Sequence, residues 1–349
     1  MNTNFALYRL PFSHECTLVE QTSGSPIELS AGRELVEQPG FVMAPFAPSD
    51  DNPILLIRPD SVKTMDFEEH ATEMYEYLER RIDLLAQISH DASPSDTYHE
   101  DFQCFHNAIT SGRFQKLVLS RSLDVKHPAD ACNPIDLFYR ACAQDWAAMV
   151  ALVCTERSGM WLTATPEILL SGWDTQWRTV ALAGTMPYAR DIGWGDKNIQ
   201  EQRYVASFVK EELDLFAEDY REEGPYTVCA GHLAHLRSDF HFRLSGPSRA
   251  GTVVEALHPT PAVCGLPKYD ALSFILRHEH NDRRFYSGFL GPFLLNNETH
   301  LFVNLRCMQI FSDHCTLYAG GGILMDSVEE QEWQETETKL DTMRTLLKS

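Results

Sequence analysis

The sequence has no run of 18 apolar residues, and its first residues, Met1 to Phe12, carry Arg9 but no basic segment leading into an apolar core with a small-residue cleavage site. Membrane spanning and export are therefore not expected, and the chain reads as cytoplasmic. The nine cysteines, at 16, 104, 132, 142, 154, 229, 264, 307 and 315, include no C-x-x-C pair. An odd number without paired spacing, with several inside apolar runs such as Ala151-Leu152-Val153-Cys154, reads as reduced, mostly buried thiols. Basic charge is scarce too: 29 Lys and Arg face 50 Asp and Glu, a formal charge of −21. That balance repels nucleic acid and anionic membrane surfaces, so an anionic ligand has to be met by a local basic site. The patterns G-x-x-x-x-G-K-[ST], strand-to-helix G-x-G-x-x-G and G-x-S-x-G are absent, which removes the usual support for nucleotide binding and serine hydrolysis. There is no fixed-period repeat and no low-complexity tract.

What is present is a series of strand patterns with helices interposed. Up to about Asp60, short apolar pieces such as Phe41-Val42-Met43-Ala44-Pro45-Phe46 and Ile54-Leu55-Leu56-Ile57 are broken by Pro, Ser and Gly and read as short strands. From about Asp66 to Ile88 the spacing is helical, carried by Met74, Tyr77, Leu78, Ile82 and Leu85, and a second helix is expected from about Ser95 to Ser111. The segment Asp91 to Thr97 is linker-like but too short to separate domains. Strands are expected at Lys116 to Val125, Ala147 to Thr155, Met160 to Thr165, Thr179 to Gly184, Leu301 to Phe311 and Cys315 to Ala319. Helices are expected at Pro134 to Ala143, Lys197 to Phe216 and Ala271 to Arg277. Strand pairs joined by short turns, as at Ser312-Asp313-His314, indicate antiparallel sheets with helices outside, an α+β fold.

The final helix, Ser327 to Ser349, places Glu332, Glu335 and Lys339 on one face, directly after a glycine-rich turn, Ala319-Gly320-Gly321-Gly322. Ser327 with Glu330 reads as a capping box, and Trp333, Leu340, Met343 and Leu347 form the docking stripe. The charged face suits a divalent metal beside an anionic ligand, or is a solvated surface with ordinary ion pairs. In Lys116-Leu117-Val118-Leu119-Ser120-Arg121 the lysine shares a strand face with Val118; it is either a desolvated base or a strand-end residue reaching water. Glu167 follows the rigid Pro166 between two apolar segments, where a carboxyl has a raised pKa and donates a proton, or else it is a surface turn residue. Glu201 lies on the stripe of Val205, Phe208 and Glu212; it joins Glu335 in an oxygen-rich Mg²⁺ site or swings to water. His232-Leu233-Ala234-His235 and His278-Glu279-His280 lack zinc-site spacing, and His235 reads as a neutral hydrogen-bond donor. Arg306 alternates onto a face with Asn304 and is suited to fork onto a carboxylate. The glycines at 320 to 322 bring backbone N–H groups to the same anion, or mark a bulge or close strand crossing.

Taken together, these segments resemble the chorismate-utilising enzymes, and within them the isochorismate synthases. The resemblance covers residues 102–347, and its motifs fall in the family's order: Lys116 to Arg121, Thr165-Pro166-Glu167, Leu182-Ala183-Gly184-Thr185, Lys197 to Glu201, His235-Leu236, Leu257 to Ala262, Leu305-Arg306-Cys307, Ala319 to Gly322, and Glu332 to Glu335 with Lys339. It implies one domain over residues 1–349, two antiparallel sheets packed together with helices outside, in which residues 1–100 are a variable part. It further implies Mg²⁺-dependent isomerisation of chorismate for menaquinone or siderophore synthesis. Lys116 then activates a water that attacks C2, and Glu167 protonates the departing C4 hydroxyl. Glu201 and Glu335 hold Mg²⁺ with Glu332 as a partner, the metal binding the ring carboxylate. Arg306, Gly320 and Lys339 hold the anion, while Thr185, His235 and Ala262 line the pocket. Ammonia-using members usually carry Gln where Lys116 stands, and aminodeoxychorismate synthases have a lysine where Ala183 stands, so water is the expected nucleophile, with no glutaminase subunit and a monomeric state. Salicylate synthase, which goes on to eliminate pyruvate, is the alternative; a non-catalytic chorismate-binding protein is another. The family often has Glu-His at Glu201-Gln202 and Ser-Pro-Glu at Thr165-Pro166-Glu167.

Overall fold

Seven consecutive buried residues from Met149 to Thr155 make a strand with no solvated face, so it must be covered on both sides. Its period-two alternation divides it: Met149, Ala151 and Val153 enter one apolar cluster, and Val150, Leu152 and Cys154 another. Ala6 and Tyr8 divide from Phe5 and Leu7 in the same way. The first cluster lies between two sheets and the second beneath helices, which gives four layers.

The computed structural model describes residues 4–66, 97–127, 133–187, 192–230 and 233–348. The strands are β1 (Asn4–Arg9), β2 (Glu15–Gln21), β3 (Ile27–Leu29), β4 (Gly40–Ala44), β5 (Ile54–Ile57), β6 (Ser61–Asp66), β7 (Lys116–Lys126), β8 (Met149–Thr155), β9 (Gly159–Thr165), β10 (Ile168–Trp173), β11 (Gln176–Pro187), β12 (Tyr220–Ala230), β13 (Leu233–Arg243), β14 (Gly265–Leu266), β15 (Phe289–Phe293), β16 (Glu298–Val303), β17 (Cys307–Ile310) and β18 (His314–Ile323). The helices are α1 (Tyr98–Thr110), α2 (Pro134–Gln144), α3 (Asp196–Phe216), α4 (Ala250–Leu257), α5 (Lys268–His278) and α6 (Glu329–Arg344). One nine-stranded sheet has the order β14-β7-β18-β17-β9-β8-β1-β2-β6, and the other β12-β13-β11-β10-β16-β15-β4-β5-β3. Residues 4–66 supply three strands to each sheet and are thus built into both.

Tyr8, Phe41, Trp161, Phe285 and Tyr318 fill the space between the sheets. On the outer face of the first sheet, α2 and α6 bury Ile135, Phe138, Leu340 and Met343, and α1 and α5 meet Leu117 and Leu119 through Phe105 and Phe274. On the second sheet, Val205, Phe208 and Val209 of α3 and Val254 and Leu257 of α4 pack on Trp177, Phe240 and Phe242. The α+β sandwich expected from the sequence is therefore the observed fold.

Several local expectations differ. The single strand expected from Leu301 to Phe311 is two strands in different sheets, β16 and β17, separated by Asn304-Leu305-Arg306. Arg306 has φ +48°, and the Asn304 amide donates to the Phe285 carbonyl at 2.8 Å, so the two residues do not alternate on one strand face. The glycine run is the end of β18, not a turn. The Ser327 capping box does not form: α6 starts at Glu329, after Val328, with no side-chain cap, and Ser327 Oγ accepts the Leu324 N–H at 3.0 Å. The hairpin β12–β13 and helix α4 had no counterpart in the sequence reading. The helix expected from Asp66 to Ile88, most of the Asp91 to Thr97 linker and His232 lie outside the described residues. The eight described cysteines form no disulfide, and among the described residues no helix is long and apolar enough to cross a membrane.

Two chain crossings between the sheets run side by side, from β9 to β10 and from β16 to β17. Thr163 Oγ1 donates to Leu305 O at 2.9 Å, Ala164 N to Arg306 O at 3.0 Å, Thr165 Oγ1 to Val303 O at 2.7 Å, and Val303 N to Glu167 O at 2.9 Å. Thr165→Val keeps the shape and removes one of these bonds. The expected loss is about 1 kcal/mol in urea unfolding, a typical net value for one hydrogen bond. An unchanged midpoint would show that the hydroxyl contributes nothing to the staple.

Candidate active site

Lys116 opens β7 with no exposed surface, and its Nζ lies 2.9 Å from Glu201 Oε1. A buried ammonium needs a counter-charge, and Glu201 comes from the second turn of α3. One turn earlier on the same helix, Lys197 donates to Glu332 Oε1 of α6 at 2.6 Å. Along α6, Lys339 Nζ stands 2.7 Å from Glu335 Oε1 and donates to Gly320 O at 2.8 Å. Three lysines and three carboxylates from a strand and two helices are thus interleaved.

The glycines of β18 make room for this arrangement. A Cβ at Gly322 would stand 2.5 Å from Glu201 Oε1 and 2.9 Å from Lys116 Cε, and one at Gly320 would stand 2.9 Å from the Tyr286 hydroxyl. At Gly321 it would lie 3.5 Å from Glu332 Oε2. Close approach of the charged pair accounts for Gly322 and that of the Tyr286 hydroxyl for Gly320, whereas a Cβ at Gly321 would make ordinary contact.

Glu167, on the first crossing, is 3 % exposed. Burial pushes its pKa up to about 8, although Lys116, Lys339 and Arg306 all pull it down. Across the cleft, burial, Arg306 and Lys339 together press His235 down to about 3, so its ring is neutral. Arg306 Nη2 stands 2.9 Å from His235 Nε2, and the Gly184 carbonyl 3.3 Å from Nδ1. An arginine only donates, so Nε2 accepts and Nδ1–H donates to Gly184. His235 is therefore neutral, as expected, but it is an acceptor toward Arg306. Burial lowers the pKa of Arg306, and its second amino group reaches Thr342 Oγ1 at 3.4 Å.

Burial alone would raise Glu201, but Lys116, with Lys339 and Lys197, holds it below the usual carboxylate range. Glu332 goes the other way: burial, helped by Glu335 and opposed by Lys197, raises it. Glu167, Glu201, His235, Ala262, Arg306, Gly320, Glu335 and Lys339 border one cleft. Lys116 lies just behind this lining, against Glu201 and Gly322; Glu332 is 1 % exposed and sits behind Gly321. Thr185 pairs with His235 in the β11–β13 ladder; its side chain is outside the described set. Among the described residues no three His, Cys, Asp or Glu side chains gather in a ready metal-ligand group, because each of the three carboxylates is met by a lysine. The sequence reading missed Lys197 as a counter-ion, although its spacing of four from Glu201 on a helix was visible. It also missed Tyr286 and Tyr318, which stack at 5.7 Å and floor the cleft, and which no local pattern marks.

The Glu167 carboxyl has an ordinary value of 4.5 and a folded value of about 8. Between these values the folded chain keeps a proton that the unfolded chain has released, so stability falls as pH rises through this window. Glu167→Gln removes the decline: the variant should match the wild type near about pH 4 and exceed it by a few kcal/mol at about pH 8 in urea unfolding. A difference that does not grow with pH would rule out a buried, neutral Glu167.

Comparison with known proteins places this arrangement in a family. The model for chorismate binding enzymes matches residues 59–348. The isochorismate synthase MenF of Escherichia coli K12 is 32% identical over 251 residues, 68% of this chain but 57% of MenF, so the matched region spans a little over half of that relative. The isochorismate synthase EntC of the same organism is 27% identical over 321 residues, covering 88% of this chain and 81% of EntC. The solved structure of MenF, the menaquinone-specific isochorismate synthase from E. coli, superposes with a TM-score of 0.78 at 22% identity, covering 99% of this chain and 89% of that one. Anthranilate synthase component I from Streptococcus pneumoniae TIGR4 gives 0.69 at 18% identity, over 98% and 90% of the two chains, and so shares the fold. With a family model spanning most of its length, and with the sandwich and charged cleft described above, the chain belongs to the chorismate-binding enzymes.

Proposed function

We propose that this chain is an isochorismate synthase, which adds water at C2 of chorismate and expels the C4 hydroxyl. The observation that carries the reading is Glu167, a carboxyl with a pKa near 8, protonated at neutral pH in a cleft that also presents Arg306 and Lys339 to an anion. Chorismate is a dianion, and in a protein of charge −21 only such a local cluster attracts it.

In this mechanism Lys116 acts as the neutral amine, having given up the proton it holds against Glu201, and takes a proton from a water held at the Glu201 side of the cleft. The water oxygen bonds to C2, the ring double bonds shift, and the C4–O bond breaks. Glu167 gives its proton to the departing hydroxyl, which leaves as water. Arg306 and Lys339 hold carboxylate oxygens of the ligand, while neutral His235 leaves the ligand's charge to Arg306.

The donor set suits a hard divalent cation. Glu201 and Glu335 both face the cleft, Glu332 lies within electrostatic reach, and all are oxygen ligands now balanced by flexible lysines. Glu201 and Glu335 would hold Mg²⁺, with Glu332 supporting. Bound there, Mg²⁺ supplies positive charge to the ring carboxylate of the ligand.

Incubation of the purified protein with chorismate and Mg²⁺ should give isochorismate alone by chromatography; salicylate with pyruvate would replace this reading by salicylate synthase. Lys116→Ala should abolish turnover with the circular dichroism unchanged, and retained activity would remove Lys116 as the base. For the metal, Mg²⁺ at about 100 times its dissociation constant should stabilise the ligand-free protein by about 2.7 kcal/mol, and Glu335→Gln should lose that gain. A wild type indifferent to Mg²⁺ would take the ion out of the mechanism.

A further inference from the structure

The outer edge of the base-bearing strand is closed by side chains where a neighbouring strand is missing. On one side β7 pairs with β18 from Leu117 to Lys126. On the other, among the described residues, the strand it pairs with is β14, whose two residues cover Leu117 and Lys116. The Val118 N–H donates to the Cys264 carbonyl at 2.7 Å, and beyond it the Val118 carbonyl and the Ser120 N–H face the loop that follows α5. A buried strand edge without partners is costly, so the chain has to fill these positions.

It does so with one buried ion pair. Glu279 and Arg283 have side chains 2 % and 3 % exposed, and they join through Nε to Oε2 at 2.6 Å and Nη2 to Oε1 at 2.9 Å. Glu279 Oε1 accepts the Ser120 N–H at 2.7 Å, and Arg283 Nη2 donates to the Val118 carbonyl at 2.7 Å. The remaining amino group, Nη1, donates to the Val263 carbonyl at 2.7 Å. Asn281 adds a bond to Ser120 Oγ at 2.8 Å, and the guanidinium carbon stands 4.1 Å from the centre of the Phe46 ring. Val118 and Val263 are both on the cleft wall, and Tyr286, whose N–H donates to the Arg283 carbonyl at 2.8 Å, is on its floor. One guanidinium therefore ties the strand of Lys116 to the segment of Ala262 and Val263.

We propose that Glu279 and Arg283 are positioning residues for the reaction: they fix the strand that carries Lys116 relative to the Ala262–Val263 wall without touching the ligand. A buried ion pair is a poor way to gain stability, since well-packed apolar groups do as well. Its use here fits a fork of donors that reaches two carbonyls and a carboxylate in fixed directions, which an ammonium does not reproduce. The inference rests on the isochorismate synthase reading for its kinetic arm only.

Arg283→Lys and Glu279→Gln are the variants. Each should lower kcat at least about tenfold with KM for chorismate within about threefold, the pattern of lost positioning in the transition state. Hydrogen exchange of residues 116–122 and 260–264 should accelerate in the same variants, with the rest of the chain at wild-type rates. Unchanged kcat, exchange that rises uniformly, or failure of both variants to fold would overturn the proposal in favour of a purely stabilising pair. If the wild type does not convert chorismate, the functional reading falls, while local exchange still decides whether the pair fixes this wall.

Discussion

A charge that is taken out of water has to be answered within a few ångströms, and this cleft is organised by that requirement. Lys116 cannot be buried without Glu201, nor Glu332 without Lys197, and the two carboxylates and two lysines belong to β7, α3 and α6. The pairs therefore dictate how closely the helices approach the first sheet. They also dictate the sequence between them, because β18 runs through the middle of the cluster and has no space for a side chain at Gly322. Burial that would be unfavourable for any one of these groups is tolerated because the set is nearly balanced.

The same burial acts with opposite sign on an acid and a base and leaves both uncharged. Glu167 keeps its proton and His235 loses one, although each lies near Arg306 and Lys339. For His235 the nearby cations add to the effect of burial, whereas for Glu167 they oppose it and are outweighed. An anion entering the cleft thus meets Arg306 and Lys339 as its cationic partners, with a proton donor beside them that adds no repulsion. That combination connects the apolar context of Glu167, which is written in the sequence, to the acid role we assign it.

Much of this was legible in the sequence because it depends on local pattern. The periodicity of Met149 to Thr155 gives a strand, the spacing of Glu332, Glu335 and Lys339 gives one helix face, and Pro166 beside Glu167 marks a buried corner. What was not legible depends on contacts between distant segments. Nothing near Leu301 to Phe311 shows that the chain changes sheets at Asn304, since the apolar residues on either side fit one long strand equally well. Ser327 has the residues of a capping box, yet its hydroxyl is drawn toward Leu324 and the buried Glu332. The glycines looked like a loop because the side chains that crowd Gly322, those of Glu201 and Lys116, come from segments more than a hundred residues away in the chain.

The paired crossings have a thermodynamic meaning. Glu167 stands on one and Arg306 on the other, and the four hydrogen bonds between the crossings lie along the seam where the two sheets join. In the function proposed above, a ligand held between these two side chains would bridge that seam. Binding there would favour the joined sheets by mass action, so occupancy of the cleft would be linked to the stability of the sandwich. The cleft residues Glu167 and Arg306 thus stand on the same joint that holds the two sheets together.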